Sequence, residues 1–404
     1  MAGALDGIRV IEFAMMQNGP AAGYMLGDMG AEVIKIERPQ LADSIRGMQS
    51  YGESSLVYKG VHLFYETPNR SKKGITLDLK KEKGKEILYR LVSRADVFFT
   101  NFSKRVCSDL GCDYEILCKY NPNIIYGRAA GYGTRGPEPE GRSFDTAAQA
   151  RSGFMMQTGE KDGPPAMSTA ALFDQLGATM LTYGILAALV ARERTGIGQE
   201  VEASLLGSAI HLQAQTVNQA CTSGRPVARH ARERSRNPLG NHYKCADDKW
   251  IMLAEPQSDR FWHVFCDAVG ISDIENEPRF ATALARRESY AEFIKILDRV
   301  FATKPRDEWL KILAEKAPGF ACAPVNELVD LPKDPQVLQN EYIVDFDHPV
   351  MGPVKQVGFP VWFSKTPSKI ACKAPEFGEH TEMVLLDNGY TWEEIETLRN
   401  EKVI

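Results

Sequence analysis

The chain has 404 residues, of which 44% are hydrophobic and 25% charged, and its formal net charge is −5. This composition is typical of a globular protein whose core needs no disulfide or metal. The acidic balance disfavours nucleic-acid binding, and no uninterrupted apolar run approaches the ~20 residues that span a bilayer. The chain does not begin with a basic stretch followed by an apolar core, so we expect a cytoplasmic protein that partners neither nucleic acid nor a membrane.

The cysteines are scattered along the chain. The nearest set is Cys107, Cys112 and Cys118, with no histidine close by and no CxxC pair. Because metal sites use closely spaced cysteines and histidines, we predict free thiols and no metal site.

The first half of the chain alternates between apolar strands and helices. We predict strands at residues 8–13, 33–36, 96–100 and 123–126 and helices at 20–29 and 81–92. This alternation is typical of an α/β fold with a Rossmann-like, doubly wound parallel sheet. Ligands bind beyond the carboxyl ends of such strands. The residues there are 16–19, 38–39, 101–102 and 131–132.

Two common nucleotide motifs are missing from the sequence. No GxGxxG follows the first strand, and no GxxxxGK[ST] occurs; residues 131–141 form a loop rich in glycine and proline. A nicotinamide dehydrogenase and a P-loop enzyme are therefore disfavoured.

Asp174 lies between an apolar run and Gly177, just before the helix-like stretch 180–190. A carboxylate in such surroundings needs a partner or a task, because burying an unpaired charge is costly. It is either a helix cap or ion-paired group, or a nucleophile for acyl transfer. The segment by itself leaves both interpretations open.

The second half begins with a change of composition at residues 222–241, where five arginines stand among proline and glycine. This segment is either a solvated linker or a surface that meets a subunit or an anion. Beyond it we predict a two-stranded hairpin at 243–253. Helical patterns follow at 261–269, 290–301 and 306–313.

Six stretches from the first strand to the last helix share a recognisable order and spacing. They are LDGIRVIEF at 5–13, GAEVIKIER at 30–38, DTAAQARSG at 145–153, TGEKDGPP at 158–165, RTGIGQEV at 194–201 and FGEHT at 377–381. Together they resemble the class III CoA-transferases, the family of formyl-CoA transferase and crotonobetainyl-CoA:carnitine CoA-transferase.

The resemblance implies a particular domain organisation. A large Rossmann-like domain would occupy residues 1–200, followed by a linker at 201–240, a small α+β domain at 241–325 and a return to the large domain at 326–404. It also implies a homodimer of two ring-like subunits that interlock, with a heteromer of homologous subunits as the alternative.

The resemblance also implies the chemistry. Asp174 would be the nucleophile and Gln17 the second catalytic residue, so that CoA passes from an acyl-CoA thioester to a small carboxylic acid through aspartyl anhydride and aspartyl-CoA thioester intermediates. CoA thioesters would then be substrates, and no cofactor would be bound permanently. Gln17 could donate to the oxyanion or orient the Asp174 carboxylate; a turn residue at a strand end is the alternative.

The resemblance further assigns residues to CoA binding, namely Gln17, Asn18, Arg38, Leu77, Lys80, Asn101, Phe102, Ser103, Arg105 and Arg142. For Lys80 an ordinary solvated face is the alternative. Asp109 stands where the family often has an arginine, and Lys104 and Arg105 are the candidate replacements. At position 18 the family often has alanine.

The residues expected to contact the acid are Met15, Met16, Tyr132, Gly240 and Asn241. The two methionines could equally belong to the core. The loop at 237–241 lacks the glycine run of formyl-CoA transferase, and we expect an acid larger than oxalate: aromatic, branched or hydroxylated.

Two other functions are alternatives to CoA transfer. The racemases of 2-methylacyl-CoA share the fold and need proton-transfer groups on both faces of the α-carbon. They place a histidine directly before Asp145, where this chain has Phe144, which argues against racemisation. A non-catalytic CoA-binding subunit is disfavoured because both Gln17 and Asp174 are present.

Overall fold

The computed structural model describes residues 2–51, 54–138, 141, 143–169 and 171–404. The chain forms two compact units. The larger unit comprises Met1–Met155, Met167–Arg225 and Gln336–Ile404, and the smaller comprises Met156–Ala166 and Pro226–Pro335.

The strands alternate with the helices along most of the larger unit. The strands are β1 (Arg9–Phe13), β2 (Glu32–Glu37), β3 (Ser50–Tyr51), β4 (Ser54–Ser55), β5 (Val57–Tyr58), β6 (Val61–His62), β7 (Lys73–Thr76), β8 (Val97–Thr100), β9 (Ile125–Ala130), β10 (Gln199–Ser204), β11 (His242–Lys244), β12 (Trp250–Leu253), β13 (Cys322–Val325), β14 (Ile343–His348) and β15 (Gly352–Val357). The helices are α1 (Asn18–Asp28), α2 (Leu63–Asn69), α3 (Glu82–Val92), α4 (Lys104–Asp109), α5 (Tyr114–Tyr120), α6 (Asp145–Arg151), α7 (Leu172–Thr195), α8 (Leu205–Leu212), α9 (Ala214–Ser223), α10 (Ser258–Val269), α11 (Ala283–Glu288), α12 (Tyr290–Phe301), α13 (Arg306–Lys316), α14 (Pro335–Gln339), α15 (Thr381–Asp387) and α16 (Trp392–Asn400).

A parallel sheet forms the centre of the larger unit. Its six strands, among the described residues, run in the order β10-β9-β8-β1-β2-β7. The chain moves from β1 outward through β2 to β7, and later from β8 outward through β9 to β10. The direction therefore switches between β1 and β8, which is the point where doubly wound sheets open a crevice for ligands. The α/β class and the parallel sheet expected from the sequence are confirmed.

Helix α7 lies on this sheet. Its residues Ala178, Leu181 and Ile185 share a buried cluster with residues of β1, β8 and β9. The helix ends at Gly196, whose φ of 70° suits a residue without a side chain. By length and composition α7 could also cross a membrane, with a mean hydropathy of 1.3 and 44% of the window buried. A core helix passes the same test, and α7 carries the ionisable side chains of Asp174 and Arg192.

The smaller unit combines a three-stranded antiparallel sheet with helices. Strand β12 pairs with β11 on one side and β13 on the other, among the described residues. Its core packs aromatic side chains of α10 and α12 against this sheet. The segment 201–240, assigned to a linker from the sequence, contains α8 and α9 within the larger unit.

Candidate active site

The ends of β1 and β8 are joined by a pair of hydrogen bonds. The side-chain amide of Asn101 donates to the carbonyl oxygen of Met15 at 2.6 Å, and the backbone N–H of Met15 donates to Asn101 Oδ1 at 3.0 Å. Asn101 therefore fixes the loop that follows β1 at the switch point of the sheet.

Asp174 lies in the first turn of α7, directly beside Asp145. The Oδ2 atom of Asp145 accepts the backbone N–H groups of Phe173 at 2.6 Å and Asp174 at 3.1 Å. Asp145 itself accepts a hydrogen bond from Gln149, whose amide also exchanges two hydrogen bonds of 2.8 Å with the backbone of Ser168. The start of α7 is thus held by a carboxylate from α6.

The environment of Asp174 disfavours its ionised form. Burial, and then the nearby charge of Asp145, raises the pKa of the Asp174 carboxyl to about 7. A carboxylate with this pKa is poorly solvated and correspondingly more basic than an exposed one. Its position near the positive end of a helix still stabilises negative charge there.

Gln17 and Asn18 bring the start of α1 to the same place. The amide of Gln17 donates to the carbonyl oxygen of Phe64 at 3.0 Å. The amide of Asn18 donates to the carbonyl oxygen of Asp174 at 3.4 Å. Both side chains are more than nine-tenths buried.

A cavity of about 990 Å³ within the larger unit collects most of these groups. Of the residues proposed from the sequence, it is lined by Met15, Met16, Gln17, Asn18, Asn101, Phe102, Ser103 and Asp174. Lys104, a candidate replacement for the family arginine, also lines it. Segments that follow β1, β8 and β9 therefore meet the start of α7 around one space.

Met15 and Phe102 also line a second cavity, of about 300 Å³. Its wall carries the cations Arg38 and Lys80 and the carboxylates Glu37, Asp43 and Asp109. Apolar side chains line most of the rest, namely Ile36, Leu41, Val106 and Leu110. Glu37 and Asp43 are already paired with Arg46 and Lys35. The apolar slot therefore keeps two cations for a flat ring that bears phosphate.

Three residues proposed from the sequence lie elsewhere in the larger unit. Leu77 is buried in the hydrophobic core. Arg105 is exposed on α4. Tyr132 lies beneath the guanidinium of Arg151, with the guanidinium carbon 4.4 Å from the ring centroid. None of the three is among the described residues that line the two cavities.

Three further proposed residues lie outside the larger unit or outside the described residues. Gly240 and Asn241 belong to the smaller unit, where the Asn241 amide donates to the carbonyl oxygen of Arg232 at 3.0 Å. Arg142 lies outside the described residues.

Arg128 was missed by the sequence analysis. It lies on β9, is 3% exposed and lines the large cavity. Its guanidinium donates to Glu200 at 3.2 Å and to the carbonyl oxygen of Phe102 at 3.3 Å. A single arginine inside an apolar strand matches no sequence motif. Whether its side chain reaches the site depends on the register of β9 in the sheet, which the sequence does not give.

Buried charges support the loop between β1 and α1. The backbone N–H of Met16, whose φ is 67°, donates to Asp43 at 3.1 Å. Lys35 bonds Asp43 at 3.1 Å and Glu12 at 3.2 Å, and Lys72 pairs with Glu12 at 2.7 Å. Burial lowers the pKa of Lys72 to about 8. Since left-handed φ is strained for methionine, this network holds Met16 in a conformation it would not adopt alone.

Comparisons with known proteins give a consistent result. The chain matches the model of CoA-transferase family III over residues 5–381. It is 32% identical to (R)-2-hydroxy-4-methylpentanoate CoA-transferase of Clostridioides difficile over 402 residues, 99% of each chain. It is also 32% identical to cinnamoyl-CoA:phenyllactate CoA-transferase of Clostridium sporogenes, over 99% of this chain and 97% of that one. The crystal structure of a CAIB/BAIF family protein from Brucella suis matches with a TM-score of 0.84 at 28% identity, covering 96% of this chain and 100% of that one.

Proposed function

Because the chain belongs to CoA-transferase family III, we propose that it moves CoA from an acyl-CoA thioester to a free carboxylic acid through covalent intermediates on Asp174. The observation that carries this proposal is the Asp174 carboxyl itself, half-buried at the start of α7 and facing a cavity large enough for two acyl groups. Its raised pKa gives it the basicity that a nucleophile needs.

The reaction proceeds by four exchanges that conserve the thioester energy. The Asp174 carboxylate attacks the thioester carbon, the C–S bond breaks, and a mixed anhydride and CoA thiolate form. The thiolate then attacks the Asp174 carbonyl carbon, releasing the donor acid and leaving an aspartyl-CoA thioester. The acceptor carboxylate attacks this thioester and expels the CoA thiolate, which leaves a second mixed anhydride. The thiolate then attacks the acceptor acyl carbon, which forms the new acyl-CoA and frees the Asp174 carboxylate. Each step exchanges one anion for another, so no proton has to be supplied.

In the proposed mechanism Gln17 stabilises the oxyanion of each tetrahedral intermediate. One N–H of its amide is held by the carbonyl oxygen of Phe64, which leaves the second N–H for substrate. A fixed donor of this kind in a dry site is effective because it needs no reorganisation as charge develops. Water must also be excluded, since it would hydrolyse the anhydride.

The two adjoining cavities support a binding path for CoA. We place the nucleotide in the smaller cavity, with Arg38 and Lys80 against its phosphates. The pantetheine arm then passes Met15 and Phe102, which line both spaces, and delivers the sulfur to the larger cavity. The family often has an arginine at the position of Asp109. In this proposal Lys104 supplies the positive charge of that arginine.

Racemisation finds no support in the cavity. Phe144 precedes α6, is 54% exposed and lines the large cavity. None of the described residues that line the cavity is a histidine. By resemblance to the family, we also propose that the protein is a homodimer of interlocked subunits and that it is cytoplasmic.

Trapping of the covalent intermediates tests the mechanism. The purified protein is incubated with a panel of acyl-CoA thioesters, quenched with hydroxylamine or borohydride, digested and analysed by mass spectrometry. We expect the modification on Asp174, and none in Asp174→Asn. Asp113→Asn, which alters the carboxylate that caps the start of α5, is the matched control and should be labelled normally. Binding of CoA esters without any label on Asp174 would overturn the proposal, and α-proton exchange in deuterated water would then be measured.

A further inference from the structure

Helix α2 carries the acceptor that orients Gln17. The side-chain amide of Gln17 donates to the carbonyl oxygen of Phe64 at 3.0 Å. In a regular helix this oxygen would accept the backbone N–H four residues later, but that residue is Pro68, which has no N–H. Leu63 and Thr67 of the same helix line the large cavity together with Phe64. The position of α2 therefore bears directly on the site.

The same helix also carries a buried carboxyl. Glu66 is 6% exposed, and its Oε1 atom accepts the backbone N–H of Ala374 at 2.9 Å. The Nε2 atom of His348, a residue that is 2% exposed, lies 3.4 Å from the same oxygen. Burial raises the pKa of the Glu66 carboxyl. Through this one side chain, α2 contacts both β14 and the segment between β15 and α15.

The hydrogen bonds of His348 direct its proton towards Glu66. Its Nδ1 atom accepts the backbone N–H groups of Val350 and Met351, both at 3.1 Å. A ring nitrogen that accepts carries no proton, so the ring proton is assigned to Nε2. Nε2 is buried and makes no hydrogen bond of regular geometry with any described residue. Because buried donors are normally satisfied, the Glu66 carboxyl is its natural partner.

A small hydrophobic cluster joins this pair to the loop that bears Gln17. It contains Tyr65 of α2 and Ala374, and Met16 and Phe64 pack against it. Closely packed side chains transmit displacements. A shift of α2 would therefore move both the residue before Gln17 and the carbonyl oxygen that accepts from its amide.

We propose that Glu66 and His348 are positioning residues for Gln17. Neither is among the described residues that line the two cavities. They act by fixing α2, so that the Phe64 carbonyl holds the Gln17 amide where the oxyanion forms. This inference rests on the proposed transferase function. A donor helps most when it is fixed before charge develops, so a loosely held α2 should slow the chemical steps more than it weakens substrate binding.

Removal of the carboxyl tests the inference. In Glu66→Ala we expect kcat to fall about tenfold, while KM for acyl-CoA changes less than about threefold. Glu66→Gln keeps an oxygen that can accept from both Ala374 and His348, and its kcat should stay within about twofold of the unaltered enzyme. An unchanged kcat in Glu66→Ala, or an equal loss in Glu66→Gln, would overturn the inference.

A double-mutant cycle shows whether the effect passes through Gln17. Gln17→Ala alone should lower kcat about a hundredfold. In that background Glu66→Ala has no amide left to position, and it should lower kcat by less than about twofold more. A further tenfold loss would mean that Glu66 supports the site in another way, and the inference would be wrong.

His348→Asn is a second variant, for the case that Glu66→Ala does not fold. Its Oδ1 atom takes the place of Nδ1 as acceptor for the turn between β14 and β15, but the shorter side chain does not reach Glu66. We expect kcat to fall as in Glu66→Ala, and a normal kcat would contradict the proposal.

Asn121→Ala is the matched control for stability. Asn121 donates to the carbonyl oxygens of Val92 at 3.0 Å and Ala95 at 2.7 Å, and it lines neither cavity among the described residues. It should lose free energy of unfolding in urea and keep its kcat. A loss of kcat as large as that of Glu66→Ala would show that activity follows stability alone.

Trapping on Asp174 separates this inference from the function on which it rests. A labelled Asp174 in the unaltered protein, together with a normal kcat in Glu66→Ala, would leave the proposed transferase standing and overturn the positioning role alone. An absent label would remove both.

Discussion

The Oδ2 atom of Asp145 lies 3.1 Å from the backbone nitrogen of Asp174 and accepts its hydrogen bond. One carboxylate therefore caps the helix that carries the other. The same closeness of charge helps to raise the pKa of Asp174. Asp145 acts on the nucleophile through both its hydrogen bond and its charge, and these effects can be separated.

Asp145→Asn should keep an acceptor for the helix while removing the charge. We expect the pKa of Asp174 to fall, so that the acidic limb of the pH profile of kcat moves to lower pH. Weaker capping should reduce the free energy of unfolding by about 1 kcal/mol. Steady-state kinetics across pH and urea unfolding measure the two effects.

Asp113→Asn is the control for this variant. Asp113 caps α5 through the backbone N–H of Ile116 at 2.9 Å and lines neither cavity among the described residues. It should lose similar stability with an unchanged pH profile. An unshifted acidic limb in Asp145→Asn would show that the charge of Asp145 does not reach the nucleophile.

The stability of the protein should depend on the ionisation of Asp174. Its folded pKa of about 7 exceeds the ~3.9 of an unfolded aspartate, so the native state binds more protons between these values. The stabilisation is complete below the unfolded pKa and is lost as the pH rises through the folded one. Relative to the unaltered protein, Asp174→Asn should gain stability as the pH rises from about 4 to about 8. Urea unfolding at several pH values measures this difference.

Asp248→Asn is the comparison for this measurement. The exposed Asp248 has its pKa lowered by Lys244, and its φ of 62° suits asparagine. The free energy of unfolding of Asp248→Asn, relative to that of the unaltered protein, should not increase with pH. If the free energy of unfolding of Asp174→Asn, relative to the unaltered protein, does not change between about pH 4 and about pH 8, the raised pKa of Asp174 is contradicted.

Asp43→Ala should weaken both the fold and catalysis. It leaves the buried Lys35 with fewer counter-charges and Met16 without its acceptor. Breaking a buried ion pair typically costs about 3 kcal/mol. Because Gln17 follows Met16, kcat should fall more than KM for acyl-CoA rises. Asp345→Ala breaks the exposed pair with Lys355 and should alter neither quantity. Normal kcat in Asp43→Ala would show that the loop keeps its shape without the network.

Arg38→Gln should weaken CoA binding without blocking chemistry. Loss of a phosphate contact is expected to raise KM for acyl-CoA about tenfold, while Asp174 is still labelled at saturating thioester. Arg94→Gln, at an exposed position after α3, should bind normally. An unchanged KM for acyl-CoA in Arg38→Gln would show that CoA does not bind in the small cavity.

Strands with apolar runs could be predicted from the sequence, and β1, β2, β8 and β9 lie close to the expected positions. Strands β7 and β10 were not predicted. Strand β10 reads QEVEAS and is polar because it forms one edge of the sheet. The hydrophobic pattern of β10 is therefore weaker than that of a strand that is covered on both faces.

The site was predictable where residues follow strands and not where distant segments meet. Asn101 and Gln17 come together because the sheet places the ends of β8 and β1 side by side. The hydrogen bond from Met16 to Asp43 and the capping of α7 by Asp145 join residues 27 and 29 positions apart. No local pattern encodes such pairings, since they depend on how the loops pack.

The division of the chain has a consequence for biosynthesis. The smaller unit ends at Pro335, but the larger one still needs Gln336–Ile404. That last segment supplies Leu385 and Ile395 to the core around β1. During translation the smaller unit can therefore finish folding first. The core of the larger unit, which contains both cavities, stays incomplete until the last segment has been synthesised. A ribosome that stalls near the end would leave every cavity residue synthesised and the catalytic unit still exposed to chaperones and proteases.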